Sequence, residues 1–510
     1  MKTHIISILF LLVPIVVFGQ DKTALHYASL IDSSNMKVTL ARLASDEFEG
    51  RGTGEKGGEL TVSYISEYLK DKKIPAGNNG SYIQNIGAKV REKGNKCFFL
   101  DNFDYQEDYS YENMIMHDTI ISSDHLLFVG YGVYSATYND FESVDISGKV
   151  IMMLNDQPVN KFGLNYAIHP KSEDYLTAKR PKVIIRVRQD FRTYSSHSYK
   201  QILFRDEKES IPELFVNERL ANKILEPTGK TVKQIAYEVE KTGAPPSVKI
   251  DKTVIFNGNN RYLDAKANNV IGFIEGSDLK DEYVVISAHH DHDGKPYNTV
   301  YNGADDNASG VSSVLEIASV LAKAKKEGKG PRRSVIILFP AAEEKGLYGS
   351  QYYAEHPLYP LEKTIACVNI DMVGRVSYDY ETRDNNYVYL VNHKTMSGNL
   401  TGLVEEINKN SLRLTLDYTY TSPGDIQRYF SRSDQYNFAQ KGVPSIMFTS
   451  GEHKDYHKPT DDYELIDFNG AWKRTRLAFL LIWELANADK ERFEAKKRAV
   501  IQDEILIESY

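Results

Sequence analysis

Residues 287–294 read SAHHDHDG, three histidines and two aspartates within eight positions. Imidazole nitrogen and carboxylate oxygen are donors that zinc takes, so the octet is a candidate metal site. A histidine-rich tract alone does not establish one, because such clusters also occur on solvated loops. The test is what the rest of the chain supplies. Further along, YNGADDNASG carries Asp305 and Asp306, FPAAEEKG carries Glu343 and Glu344, IACVNID ends in Asp371, and TSGEHKDYH ends in His457.

Four of these five groups directly follow an apolar, strand-like run: EYVVISA precedes His289, RSVIILF the glutamate pair, IACVNI Asp371, and PSIMFT leads to His457. NNVIGFIEG and NYVYLV are two more such runs. Asp305 and Asp306 stand just before SGVSSVLEIASVLAKAKK, where Val311, Val314, Leu315, Ala318, Leu321 and Ala322 recur at the spacing of one buried helical face. Strands alternating with helices predict an α/β layer on a mixed, largely parallel sheet. In such sheets ligands bind beyond the carboxyl ends of the strands. The sheet is therefore what must gather residues up to 168 positions apart, from His289 to His457.

The chemistry this collection suits is a two-metal centre, whose ions sit about 3.5–4 Å apart and can share a carboxylate. Two histidines serve as end ligands, two carboxylates as terminal ligands and one as the bridge. Glu343 and Glu344 are adjacent, so one can ligate while the other acts as general base. His289 and Asp291 are two apart on an extended chain and point to the same side. Asp291 is thus expected to accept a hydrogen bond from the His289 ring and orient it. His290 points the other way along the strand, and His292 is expected on the rim. The sequence HKDYH has Lys454 where a zincin needs glutamate, and no G-x-S-x-G elbow is present.

The remaining sequence sets the frame. A length of 510 residues implies two or three folded units, and 41% hydrophobic with 26% charged residues is a soluble globular composition. A net charge of −8 argues against a general nucleic-acid binder. MKTHIISILFLLVPIVVFGQ reads as a signal peptide, residues 1–19, cleaved after Gly19. That implies a secreted or periplasmic protein without stable membrane insertion once the peptide is removed. Only Cys97 and Cys367 are present, too few for a disulfide framework, and Cys367 reads as a core residue. Gly52, Gly54 and Gly57 formally fit G-x-G-x-x-G, but no buried strand precedes them, so 44–72 is expected to be a surface loop leading into an amphipathic helix. Segment 105–250 has a different, β-rich texture (HLLFVGYGVY, GKVIMML, PKVIIRVR). Residues 491–510 form a charged tail.

SAHHDHDG, NGADDNASGV, AAEEKGLYGS, NIDMVGR and DYHKPTDD, in that order, resemble the cocatalytic di-zinc peptidase family of bacterial leucyl aminopeptidases, glutamate carboxypeptidases and the transferrin-receptor ectodomain. The resemblance covers roughly 40–90 and 255–490. It implies a three-layer α/β/α peptidase domain, made of 20–104 and 251–490, with a protease-associated insert at 105–250; VDISGKV and SIPELFV are the cues for the insert. It also implies two zinc ions: His289 and Asp371 on one, Glu344 and His457 on the other, Asp306 bridging, with a cis bond between Asp306 and Asn307. Glu343 becomes the general base and Asp291 the partner of His289. Ser433-Asp434-Gln435 departs from the Ser-Asp-His that the family often has there. The implied activity is zinc-dependent exopeptidase action on peptides, an aminopeptidase first. A carboxypeptidase, a glutaminyl cyclase and a non-catalytic receptor-like module are the alternatives. Arg428, Tyr429 and Arg432 lie where substrate recognition could occur, though surface ion pairing is the expected role of the arginines.

Overall fold

The computed structural model describes residues 22–92, 96–105, 108–111, 119–134, 138–154, 170–188, 202–204, 211–242, 246–258, 261–392, 399–421, 425 and 427–489. The expected signal peptide and the charged tail lie outside these residues. No helix among the described residues is long and apolar enough to cross a membrane. The chain divides into two units: residues up to Ile86 together with those from Ala267, and Gly87–Lys266.

The first unit is built on an eight-stranded sheet. Its strands are β1 (Ile83–Asn85), β2 (Asn268–Ile274), β3 (Leu279–Ser287), β4 (Arg333–Phe339), β5 (Thr364–Ile370), β6 (Tyr387–Asn392), β7 (Thr415–Asp417) and β8 (Ser445–Thr449), in the order β1-β2-β4-β3-β5-β8-β6-β7. The central four, β4-β3-β5-β8, are mutually parallel. The antiparallel pairs, β1 with β2, β2 with β4 and β6 with β8, lie outside them. All six apolar runs read from the sequence are strands.

The central strands read as unbroken apolar runs because both faces are covered, as parallel sheets require. Val284 and Ile286 of β3, with Val335 and Ile337 of β4, join the core that is also lined by α1 (Lys22–Ala28), α2 (Ser33–Leu43), α3 (Lys56–Asp71), α4 (Gly310–Lys326) and α5 (Phe468–Asn487). Their sequence neighbours Tyr283, Val285, Ile336 and Leu338 face the opposite core with Tyr353, Phe438 and the buried Cys367. This alternation makes the three layers. Each such side chain, fully buried, contributes roughly 1.5–3 kcal/mol. The carboxyl ends of four parallel strands are thereby fixed side by side.

Gly87–Lys266 contains sheets of three, six and four strands. In the six-stranded sheet, Leu126–Phe128, Val150–Leu154, Val183–Val187 and Glu213–Val216 run parallel. Helices Glu218–Leu225 and Val232–Thr242 pack on it with Leu220, Ile224 and Ile235 in the core. The unit starts earlier and ends later than 105–250. Ala88–Glu92 pairs with Arg261–Ala265, and Lys96–Leu100 pairs with Val254–Gly258, so chain on both sides of the expected boundary belongs to the same sheets.

Candidate metal centre

His289 and Asp291 follow β3, Glu343 and Glu344 follow β4, Asp371 follows β5, and His457 lies beyond β8. Asp306 comes from the kinked segment Ala304–Ser309 that enters α4. Asn307 staples this segment to the end of β5: its amide donates to the Ile370 carbonyl (3.0 Å), and its oxygen accepts from Gly310 (2.9 Å) and Met372 (3.2 Å). A Cβ on Gly310 would lie 2.2 Å from the Asn307 oxygen and 2.3 Å from the Ile370 carbonyl, so only glycine fits there. The Asp306–Asn307 peptide bond is cis.

Two donor groups share Asp306, one with His289 and Asp371 and the other with His292, Glu344 and His457; a third joins His289 to Glu343 and Glu344. His289 Nε2 is 3.3 Å from Asp306 Oδ1 and 3.2 Å from Asp371 Oδ1. His457 Nε2 is 3.0 Å from Asp306 Oδ2 and 3.2 Å from Glu344 Oε2. Zinc bonds of about 2.0–2.1 Å place two tetrahedral ligands about 3.3 Å apart. Three of these four separations lie at or just beyond the long end of an ordinary hydrogen bond and near that edge length. The Asp306 carboxylate thus offers one oxygen to each set, and the donors fit a metal on each side of it.

The charges agree with this fit. Although burial lowers an imidazole's pKa, Asp371, Glu343 and Asp306 hold His289 well above its ordinary value. Against the same burial effect, Asp306 and Glu344 raise His457 to about 11. Glu344 is drawn down to about 2 despite its burial, by His292 and His457. The carboxylates favour the protonated imidazoles, and a metal would take the place of those protons. Glu343 behaves in the opposite way: burial first, then Glu344 and Asp371, push its carboxyl well above the carboxylate range. Two adjacent carboxyls are thus set apart by environment alone, one held low and the other high.

Three side chains sit differently from expectation. The Asp291 carboxylate stands 3.8 Å from His289 Nδ1, which lies instead 3.2 Å from the Asp291 main-chain carbonyl. Its oxygens are taken by the Thr53 hydroxyl (2.9 Å) and the Glu343 amide (3.1 Å), so it fixes the Glu343 turn more directly than the imidazole. His292 is not on the rim but fully buried, with Nδ1 2.7 Å from Glu344 Oε1, a hydrogen-bond distance. The segment read as a surface loop is also interior, with Arg51 and Thr53 buried, because Thr53 must reach Asp291 and the Ala342 amide. His290 does face away, toward the Asn268 carbonyl at 3.0 Å.

Sequence reasoning missed His292, Thr53 and Asp434. The fully buried Asp434 has its carboxyl pushed to about 7 by burial and by the Asp371 and Asp291 charges, opposed by His289. The available signal was its position beside Ser433, whose hydroxyl donates to Asp371 Oδ2 at 2.6 Å. Arg432 pairs with Glu452 at 2.9 Å, in keeping with the expected ion pairing. Above the donors opens a cavity of about 420 Å³, walled by Leu347, Met372, Met447, Tyr429, Arg432 and Glu452.

Residues 269–482 match the profile of Peptidase family M28. That stretch of the chain is similar to an M28 peptidase domain. Among curated proteins, it is 29% identical over 215 residues to a probable glutamate carboxypeptidase, AMP1, of Arabidopsis thaliana, covering 40% of this chain and 28% of that one. It is 25% identical over 245 residues to aminopeptidase YwaD of Bacillus subtilis, covering 46% and 49%. The aligned segments thus span half or less of these relatives. The fold matches the solved aminopeptidase from Aneurinibacillus sp. strain AM-1 with a TM-score of 0.56 at 16% identity, over 91% of this chain and 96% of that one. The M28 profile covers β2 to most of α5, the stretch that supplies every donor atom in both sets.

Proposed function

We propose that the protein is a zinc exopeptidase of the aminopeptidase type, exported by the segment 1–19, with Gly87–Lys266 as a protease-associated insert. The observation that carries the reading is Asp306 offering one oxygen to the His289–Asp371 pair and the other to His457–Glu344, beside a carboxyl of raised pKa.

In this reading His289, Asp306 and Asp371 hold one zinc ion, and Glu344, His457 and Asp306 the other. When bound, the ions supply Lewis acidity for the scissile carbonyl and make water more acidic. Glu343 takes a proton from the attacking water and returns it to the leaving amine, the task to which a raised carboxyl pKa is matched. Asp291 and Thr53 hold the Glu343 turn in place. A free substrate amine suits the mouth, where Glu452 is the added carboxylate and the nearby cation, Arg432, is already paired with it. The same pairing disfavours recognition of a C-terminal carboxylate.

The test is mass spectrometry of peptides with free and acetylated N-termini, incubated with the mature protein with and without chelator. Stepwise N-terminal trimming of the free set only, abolished by chelation, is expected. C-terminal trimming of both sets would replace the aminopeptidase with a carboxypeptidase. Loss of ammonia from N-terminal glutamine would indicate a cyclase, and unchanged peptides with zinc bound would favour a binding module.

A further inference from the structure

Arg51 is among the largest fully buried side chains and spends all five of its N–H donors on main-chain carbonyls. Nε donates to His290 (3.2 Å), Nη1 to Leu43 (2.9 Å) and Asn302 (2.6 Å), and Nη2 to Gly303 (2.8 Å) and Asp306 (3.2 Å). Four of the five belong to the two loops that deliver His289 and Asp306. The chain bends sharply to place it. Gly50 and Arg51 both have left-handed backbone, φ 67° and 55°. A Cβ on Gly50 would lie 2.3 Å from the Gly294 carbonyl and 2.4 Å from that of Tyr301. A non-glycine residue in this region costs energy and persists where the surroundings over-determine it.

A second buried charge meets the same segment from the other side. One oxygen of the fully buried Asp461 accepts from the amides of Asp305 (2.9 Å) and Asp306 (3.1 Å), while its carbonyl accepts from Ala304 (2.9 Å). Asp306 therefore has its N–H on a carboxylate and its C=O on a guanidinium. The hydrogen bonds that Arg51 and the Asp461 carboxylate make to this segment go to main-chain atoms, not to a donor atom of the two sets. Both restrain the main chain of the one residue that must face both sets at once.

We infer that Arg51 is a positioning residue for the metal centre, clamping the Asp306 main chain against Asp461 so that the bridging carboxylate keeps one oxygen on each ligand set. The inference rests on the two-ion reading above. It explains why a cation is retained beneath a site built to receive cations: a planar fork satisfies several diverging carbonyls that a point charge cannot. A terminal pair, His289 with Asp371 or Glu344 with His457, can still take one ion if the clamp slackens. Filling both sets needs Asp306 in register with each.

The test is zinc titration of the metal-stripped full chain against a competing chelator, with visible absorption of the cobalt-loaded protein as a second readout. The unsubstituted chain is expected to bind two ions. Arg51→Lys keeps the charge but not the fork, and should bind the weaker of the two ions about 10–100-fold less tightly, the usual effect of losing a residue that orients ligands. Asp461→Asn keeps an acceptor and should change in the same direction by less; it decides the matter if Arg51→Lys does not fold. Leu480→Ala, in the core of α5, controls for general destabilisation and should leave both affinities unchanged. Two ions bound with unsubstituted affinity in Arg51→Lys and Asp461→Asn, or losses no larger than in Leu480→Ala, would overturn the clamp and leave the two-ion reading intact. Fewer than two ions in the unsubstituted chain would overturn both.

Discussion

Each unit of this chain contains four neighbouring parallel strands, and each buries charged groups near them, yet the charges are arranged on opposite principles. In Gly87–Lys266 they are neutralised in place. Arg186 donates to Glu213 (2.9 and 3.1 Å) and to Glu173 (3.1 Å), and the buried Asp140 accepts from the amides of Tyr131 (3.1 Å) and Val133 (3.0 Å). In the M28 unit, carboxylates converge on one another, with two imidazoles between them, at ligand-edge spacings. A parallel sheet supplies a place for a site, and the residues following each strand decide whether one is there. Among the described residues, the groups able to hold a metal all belong to the M28 unit.

The sharpest way to break this contrast is through Glu343. Glu343→Gln removes the proton acceptor while leaving every donor atom of the two metal sets, so turnover should fall by about 10²–10⁴. Zinc content measured on the same preparation should not change. A variant that lost zinc together with activity would mean that Glu343 belongs to the ligand sets, and that the separation of ligand from base is wrong.

Asp140 tests the other unit. Burial raises its carboxyl to about 6 from 3.8, against the pull of its hydrogen bonds from Val133, Tyr138 and Tyr131. A raised folded-state value means the fold holds this proton more tightly than the unfolded chain does. Its stabilisation is complete below about pH 4 and is lost as pH rises through about 6, and the full swing is about 3 kcal/mol. Hydrogen exchange at the Tyr131 and Val133 amides, corrected for intrinsic rates, should show opening becoming easier across that interval. Asp140→Asn should flatten the dependence without touching turnover. An unchanged slope in that variant would remove Asp140 as its source.

How much of this was legible follows the same division. The M28 sheet could be read because buried parallel strands are continuous apolar runs, and the candidate donors could be listed because each of their motifs follows such a run or opens α4; the choice of Asp306 over Asp305 and the division between Glu343 and Glu344 came from the family resemblance. What stayed hidden was lateral. Nothing in EGRGTG says that Arg51 is buried, since four of its five acceptors are carbonyls 239 to 255 positions away and carbonyls carry no residue identity. Asp291 was placed on the right side of its strand, but a period-two argument cannot see Thr53 arriving from elsewhere to take one of its oxygens. The helices Glu218–Leu225 and Val232–Thr242 were lost in the β-rich texture around them, although Leu220, Ala221 and Ile224 have helical spacing.

His292 is where that blindness can be tested most finely. Period two puts it on the face opposite His289 and Asp291, but the strand β3 ends at Ser287, and beyond it the alternation no longer constrains the side chain. It falls within the same donor group as His457, but its Nδ1 is 2.7 Å from Glu344 and 3.8 Å from Asp306, the spacing of a residue that orients the Glu344 carboxylate. His292→Leu should therefore weaken zinc binding by about 10–100-fold, with the loss confined to one of two ions. His292→Asn, whose amide can still donate to Glu344, should recover much of it. If chelator competition shows both variants losing an ion completely, His292 is a ligand and the 2.7 Å contact has been misread. If neither variant loses affinity, Glu344 needs no partner, and the M28 site depends less on buried hydrogen bonds than the neutralised charges of Gly87–Lys266 do.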